Sequence, residues 1–265
     1  MRRIGAVILL LGCATTSFAH YNMLMPDKAW ANKGEKVTFT YQFGHPFEHE
    51  LFDAPEPKAV IVILPDGKTQ KIEKLTKIEL KGADGKKATG YNFVYEPATR
   101  GDYTFVLQTP PIWMEESKEF WQDTVKVVLH VQTQKNWDAD PTIDVLNRLK
   151  VVPLTRPYGL FPGMVFQGRV HLTAEPDKAE PAFPGKMIEI ERYPSHPVKN
   201  PPPDELITFK TKTDPNGIFT FAFPDAGWWS MTAAWQKKDR KWNDGANEGP
   251  LRERATLWIH VDEKK

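Results

Sequence analysis

The residues best suited to chemistry in this chain are imidazoles and carboxylates in the run Gly44-His45-Pro46-Phe47-Glu48-His49-Glu50, where two of each fall within six positions. Cys13 is the only cysteine, so a transition-metal site would be built from histidine, carboxylate, methionine or a chain terminus. Two readings of the run stay open. Side chains leaving a sandwich rim can converge on an ion, or the run is a charged, solvated loop; Pro46 disfavours the helix that would set His45 and His49 on one face.

His20 adds a third imidazole if the chain is cut just before it. Arg2 and Arg3 form a basic start, Ile4 to Leu11 an apolar stretch, and Ser17 and Ala19 supply small residues at −3 and −1 for signal peptidase. The expected mature chain begins at His20. It would then offer its α-amine and imidazole Nδ1 to the same ion, and a bound metal readily deprotonates an amine of ordinary pKa. Nitrogen donors suit Ni²⁺, Co²⁺, Cu²⁺ and Zn²⁺ over Ca²⁺ and Mg²⁺. Met23 and Met25 could add thioethers, although packing against the sandwich edge is their expected role. A competing signal, Leu10-Leu11-Gly12-Cys13, resembles a lipobox; it would lipidate Cys13 and leave His20 internal.

The other histidines fall on the polar faces of expected strands or in a loop. His130 shares a face with Lys126, His171 lies with Gln167 and Arg169, and His260 opposes Leu257, Ile259 and Val261, so all three are expected to be exposed. His196 sits in the Pro-rich stretch Pro194 to Pro203, read as an extended surface loop. No serine-histidine-aspartate, phosphate-cradling or paired-carboxylate pattern stands out. The Glu115-Glu116 pair reads as a solvated helix start, and one or both of Trp228 and Trp229 as core.

Period-two alternation supplies the elements that must position these residues. Lys36 to Phe43 alternates Val37, Phe39, Tyr41 and Phe43 with polar residues, and Ala59 to Leu64 enters a turn at Pro65-Asp66-Gly67. Further strands are expected at 91–95, 102–108, 124–131, 164–174, 187–192, 206–211, 218–223, 228–235 and 255–261. Short helices are expected only at Glu115 to Trp121 and Thr142 to Lys150. The chain therefore reads as all-β, with a signal peptide at 1–19 and two tandem β-sandwiches, an Ig-like one over 20–152 and a second over 153–265. Removing Arg2 and Arg3 leaves 33 basic and 34 acidic residues, a net charge of −1, which argues against nucleic acid as a partner. Beyond the leader no stretch reaches the roughly 20 apolar residues of a membrane-spanning helix.

Three motifs, His20-Tyr21-Asn22-Met23-Leu24-Met25-Pro26, GHPFEHELFD from Gly44, and Lys118-Glu119-Phe120-Trp121-Gln122-Asp123 before VKVVLHV, resemble the DUF4198 family. The likeness is most distinctive over residues 20 to about 137. Thr213-Asp214-Pro215-Asn216-Gly217 before FTFAFPDAGWW is similar to a transthyretin-like or carboxypeptidase-regulatory sandwich. The resemblance implies a periplasmic, non-enzymatic protein that captures a divalent metal, nickel or cobalt first and copper or zinc next, and passes it to a membrane transporter. The family's histidine motif falls on His20, His45 and His49. Two other readings compete: a copper enzyme of the oxidative, histidine-brace kind, and a metal-free interaction module. Intact mass of the exported protein checks the leader; a chain starting at His20 is expected, and a diacylated chain starting at Cys13 would overturn it.

Overall fold

The computed structural model describes residues 20–139, 148–173 and 182–264, so the expected leader, with Cys13, lies outside the described residues. The strands of the first half are β1 (Tyr21–Pro26), β2 (Trp30–Ala31), β3 (Val37–His45), β4 (Glu50–Phe52), β5 (Ala59–Ile63), β6 (Thr69–Lys71), β7 (Thr76–Lys81), β8 (Lys87–Tyr95), β9 (Gly101–Gln108), β10 (Ile112–Met114) and β11 (Glu119–Val131). Those of the second half are β12 (Leu149–Pro153), β13 (Val165–Leu172), β14 (Met187–Tyr193), β15 (Phe209–Lys212), β16 (Ile218–Ala222), β17 (Gly227–Asn243) and β18 (Glu248–Val261). The fold is all-β: among the described residues the only helical element is a 3-10 turn at Asp204–Leu206.

The described residues form three sheets. One has the order β1-β3-β8-β7 with β4 on β3; a second is β12-β13-β16; the third runs β15-β14-β17-β18-β11-β9-β5-β6, with β2 and β10 on β11. This last sheet takes strands from both halves, joined where β11 lies parallel to β18 from Phe120 opposite Leu251 to Val127 opposite Trp258. The two halves therefore have separate cores but not separate sheets. Val125, Val127, Leu129 and Val131 of β11 pack under the β1-β3 sheet, whereas Ala255, Leu257, Ile259 and Val261 of β18 pack against the β12-β13 sheet. Trp258 lies between Leu257 and Ile259 in sequence yet joins the first core. Alternation along a strand puts these sets on opposite faces, so the outer sheets cover opposite sides of one shared sheet.

The expectation of two independently packed sandwiches is corrected accordingly, and β12 pairs with β13 from Leu149 onward, placing residues 149–152 with the second core. The helix expected at Glu115 to Trp121 is instead a turn followed by the start of β11, because Glu119, Phe120 and Trp121 extend a strand held between β10 and β18. Of the helix expected at Thr142 to Lys150, residues 142–147 lie outside the described residues, and Leu149 and Lys150 are strand.

The expected exposure of three histidines is overturned, for His130 and His260 because both faces of the shared sheet are covered, and for His171, on β13 of the outer sheet, by local packing. His171 is buried, its backbone bridged by Ala182. His130 sets Nδ1 at 2.6 Å from Asp102 Oδ1 and stacks on Tyr158 at 4.2 Å. His260 packs against Trp228 with ring centroids 4.9 Å apart. Trp229 is core, as is Met23, and Met25 packs against the first core.

Trp258 tests the shared sheet, since it belongs to the second half, fills the first core and donates Nε1–H to the Asn22 carbonyl at 3.1 Å. Trp258→Ala is expected to cost about 3–5 kcal/mol. Urea unfolding followed by hydrogen exchange in both halves should show one common transition at lower urea. Loss of protection in the second half alone would mean that the halves fold separately.

Candidate functional site

Strand pairing brings two of the three motif histidines together. β1 runs antiparallel to β3 with Tyr21 opposite Gly44 and Asn22 opposite Phe43, so one residue further His20 comes opposite His45. Their ring centroids are 4.8 Å apart, tilted by 54°. Asn22 reaches across to Asp123 on the facing sheet at 2.6 Å, so His20, two residues earlier, lies on the same inner face at the sandwich rim. Phe52 flanks both imidazoles at 5.2 and 5.1 Å, and Phe43 stacks on His20 at 5.7 Å.

On its other side β3 pairs with β4, and His45 stands opposite Glu50. Gly44 makes this pairing possible: its φ is +156°, and a Cβ there would stand 2.0 Å from the Glu50 carbonyl oxygen. His45 is buried, and its Nδ1 lies 3.0 Å from Glu50 Oε2. A carboxylate on one ring nitrogen fixes the tautomer and the orientation of the ring. The row His20, His45, Glu50 thus spans three neighbouring strands.

The third histidine goes elsewhere. Residues 46–49 form the turn between His45 and Glu50, and His49 ends it with φ +55°, in the left-handed region. Its ring stacks on Tyr193 at 4.1 Å and its Nε2 lies 2.9 Å from the Pro194 carbonyl oxygen. Burial holds its pKa below the ordinary histidine value, with the nearby His196 adding to the effect and the Pro194 contact opposing it. The expected convergence of His20, His45 and His49 is therefore reduced to His20 and His45. Among the described residues no group of three or more His, Cys, Asp or Glu side chains converges as a metal cluster.

The same turn is tied to the second half by a residue that sequence reasoning missed. Glu191 on β14 is buried, accepts a hydrogen bond from Thr208 Oγ1 at 2.6 Å, and accepts another from the Phe47 backbone N–H. Burial pushes its carboxyl up to about 8; Glu48 and Glu189 push the same way, and the two donors oppose them. Tyr21 is the other titratable group facing it, itself raised well above its usual value by burial. Strand alternation places Glu191 with Glu189, on what reads as a solvated face, so no signal in the sequence marked it.

A raised folded-state pKa gives Glu191 a contribution to stability that is fully present below its unfolded value, near 4.5, and lost as pH rises through about 8. Glu191→Gln is expected to flatten the fall in stability across that window and to make the protein more stable than wild type at pH 8.5, on the order of a few kcal/mol. Chemical denaturation at pH 5, 7 and 8.5 checks this, and parallel curves for the two proteins would refute it.

Comparisons with known proteins add a family and no chemistry. No curated protein matches the chain. Among solved structures, trypsin-activated α-2-macroglobulin from Escherichia coli shares 11% identity with a TM-score of 0.25, over 92% of this chain and 16% of that one. A DUF4785 family protein from Legionella pneumophila shares 11% identity with a TM-score of 0.28, over 82% of this chain and 53% of that one. The chain thus spans about a sixth of the macroglobulin and about half of the Legionella protein. The family model "Domain of unknown function (DUF4198)" matches residues 17–237, through both cores, and the chain belongs to that family.

Proposed function

We propose that the protein is exported to the periplasm, cut before His20, and binds a divalent transition metal as cargo through the His20 α-amine, the His20 imidazole and the His45 imidazole. The observation that carries this reading is the approach of the His20 and His45 rings, 4.8 Å between centroids, with Glu50 on Nδ1 of His45. Nitrogens bound to one ion lie about 3–4 Å apart when each bond is about 2.0–2.1 Å, so small ring rotations bring the pair to that spacing. The donors fit the metal class: all are nitrogen, and Met23 is committed to the core, which takes away the thioether that would favour Cu⁺. Nickel or cobalt delivery to a membrane transporter is the role that the DUF4198 resemblance suggests, and the protein then acts as a carrier and not as an enzyme. No helix among the described residues is long and apolar enough to cross a membrane.

The loss of His49 from the ligand set favours a second reading, because an amine and two imidazoles are also the donors of a copper histidine brace. Oxidised oligosaccharides formed from a polysaccharide by the copper-loaded protein with a reductant would support that reading, and their absence at full copper occupancy would leave the carrier.

Mature protein with a native His20 terminus, exposed to equal Ni²⁺, Co²⁺, Cu²⁺ and Zn²⁺ and examined by native mass spectrometry, is expected to retain one ion. His20→Ala removes one of three donors, the imidazole, and opens the chelate ring, and should weaken binding at least about tenfold; one added Gly before His20, which keeps the imidazole and displaces only the amine, should do the same. His196→Ala, in the exposed loop, is the control and should change nothing. Equal affinity in the Gly-extended and native proteins would eliminate the amine chelate.

A further inference from the structure

We infer that Arg254 is the positioning residue of the terminal histidine: reaching from β18, in the second half, it holds the His20 backbone so that the imidazole faces His45. The inference rests on the ligand set proposed above and names the group that sets its geometry.

Arg254 is buried and donates Nη1–H to the His20 carbonyl at 2.8 Å. β1 begins only at Tyr21, so the ladder to β3 does not by itself fix the residue before it. Strand ends fray, and a terminal residue released by cleavage would gain further freedom. The bond from Arg254 restrains His20 at the point where strand pairing stops.

The guanidinium is itself held on several sides. β11 and β18 place Asp123 and Arg254 at paired positions, with Nε 3.7 Å from Asp123 Oδ1. Trp121 lies under the guanidinium at 4.4 Å and Tyr21 at 5.5 Å. Asp123 in turn accepts from Asn22 Nδ2 at 2.6 Å, and Asn22 accepts from the Tyr41 hydroxyl at 2.6 Å and, through its carbonyl, from Trp258 Nε1 at 3.1 Å. The network therefore binds β1, β3, β11 and β18 around the residue that carries two of the three proposed donors. A planar guanidinium fork presents separate N–H groups to the carboxylate and the carbonyl in fixed directions, whereas a lysine ammonium is one point charge on a flexible stem.

Deleting the arginine alone would strand a buried carboxylate, so the decisive variant is Asp123→Asn with Arg254→Met, which removes both charges and leaves an oxygen to accept from Asn22. Two quantities are read on mature protein: the NMR cross-relaxation between the His20 and His45 rings without metal, and the affinity and absorption spectrum with Cu²⁺ as the probe. The expected result is a folded protein in which the two rings no longer cross-relax, the copper spectrum is altered and affinity is lower by at least tenfold. Arg254→Lys keeps the charge opposite Asp123, guards against misfolding of the double variant, and should show weakened cross-relaxation and an affinity loss of three- to tenfold. A folded double variant, or failing that the lysine variant, with cross-relaxation, spectrum and affinity all unchanged would overturn the inference. Should the wild type bind no copper, nickel, cobalt or zinc, the carrier reading fails, while the metal-free cross-relaxation still decides whether Arg254 holds His20.

Discussion

Everything about this molecule depends on eight residue pairs in which β11 lies parallel to β18. Parallel neighbours need long crossover connections, and here the connection is nearly the whole second half of the chain. A sheet shared in this way has two faces to cover. The halves divide the work, with the first laying the β1-β3 sheet over one face and the second laying the β12-β13 sheet over the other. Trp258 shows the consequence at a single residue, since it is built into a strand of the second core and spends its indole in the first.

That constraint explains where strand-by-strand reasoning held and where it broke. Alternation in Val37, Phe39, Tyr41 and Phe43 is a statement about one buried face, and β3 has the expected inward set. For β11 the same reasoning assigns Lys126 and His130 to solvent, yet Lys126 is buried and His130 is stacked beneath Tyr158, because a second layer reaches the face that alternation called polar. His130 could not announce this, since its buried partner Asp102 lies 28 residues earlier and Tyr158 lies in the other half. Local patterning reports whether a strand has an apolar face, and says nothing about what tertiary structure lays over the other.

The candidate site was legible to the same extent. His20 and His45 stand out by type and by the leader-like pattern expected before the first of them, and Gly44 records the close approach of β4 that puts Glu50 beside His45. β1 carried no period-two signal, because Tyr21, Asn22, Met23 and Leu24 are buried whichever way they point. Without that strand the opposition of His20 and His45 could not be read from spacing. Arg254 and Glu191 were hidden for a different reason: each comes from the second half and acts on the first, and nothing about a lone arginine or glutamate in a strand tells which distant backbone it will meet.

The separation of His45 from His49 has the widest consequence. Four turn residues allow His45 and Glu50 to pair, and closing the turn puts His49 in a left-handed conformation that sends its ring to Tyr193 and Pro194. One histidine of the motif, His45, therefore belongs to the rim pair, while the other, His49, anchors the turn to β14 and the loop beyond it. Glu191 holds the same turn through the Phe47 N–H, and Arg254 holds the residue on the opposite side of His45's ring. The turn that follows His45 and the backbone of His20 are thus both contacted by the second half, although neither histidine belongs to it. A first half on its own could form β3 and the turn but would lack the two contacts that define the spacing of His20 from His45. The shared sheet is what makes those contacts rigid: by joining β11 to β18 it fixes, through a few residues of ladder, the distance between the strand that carries Asp123 and the strand that carries Arg254, and through them the place where the chain's first histidine must lie.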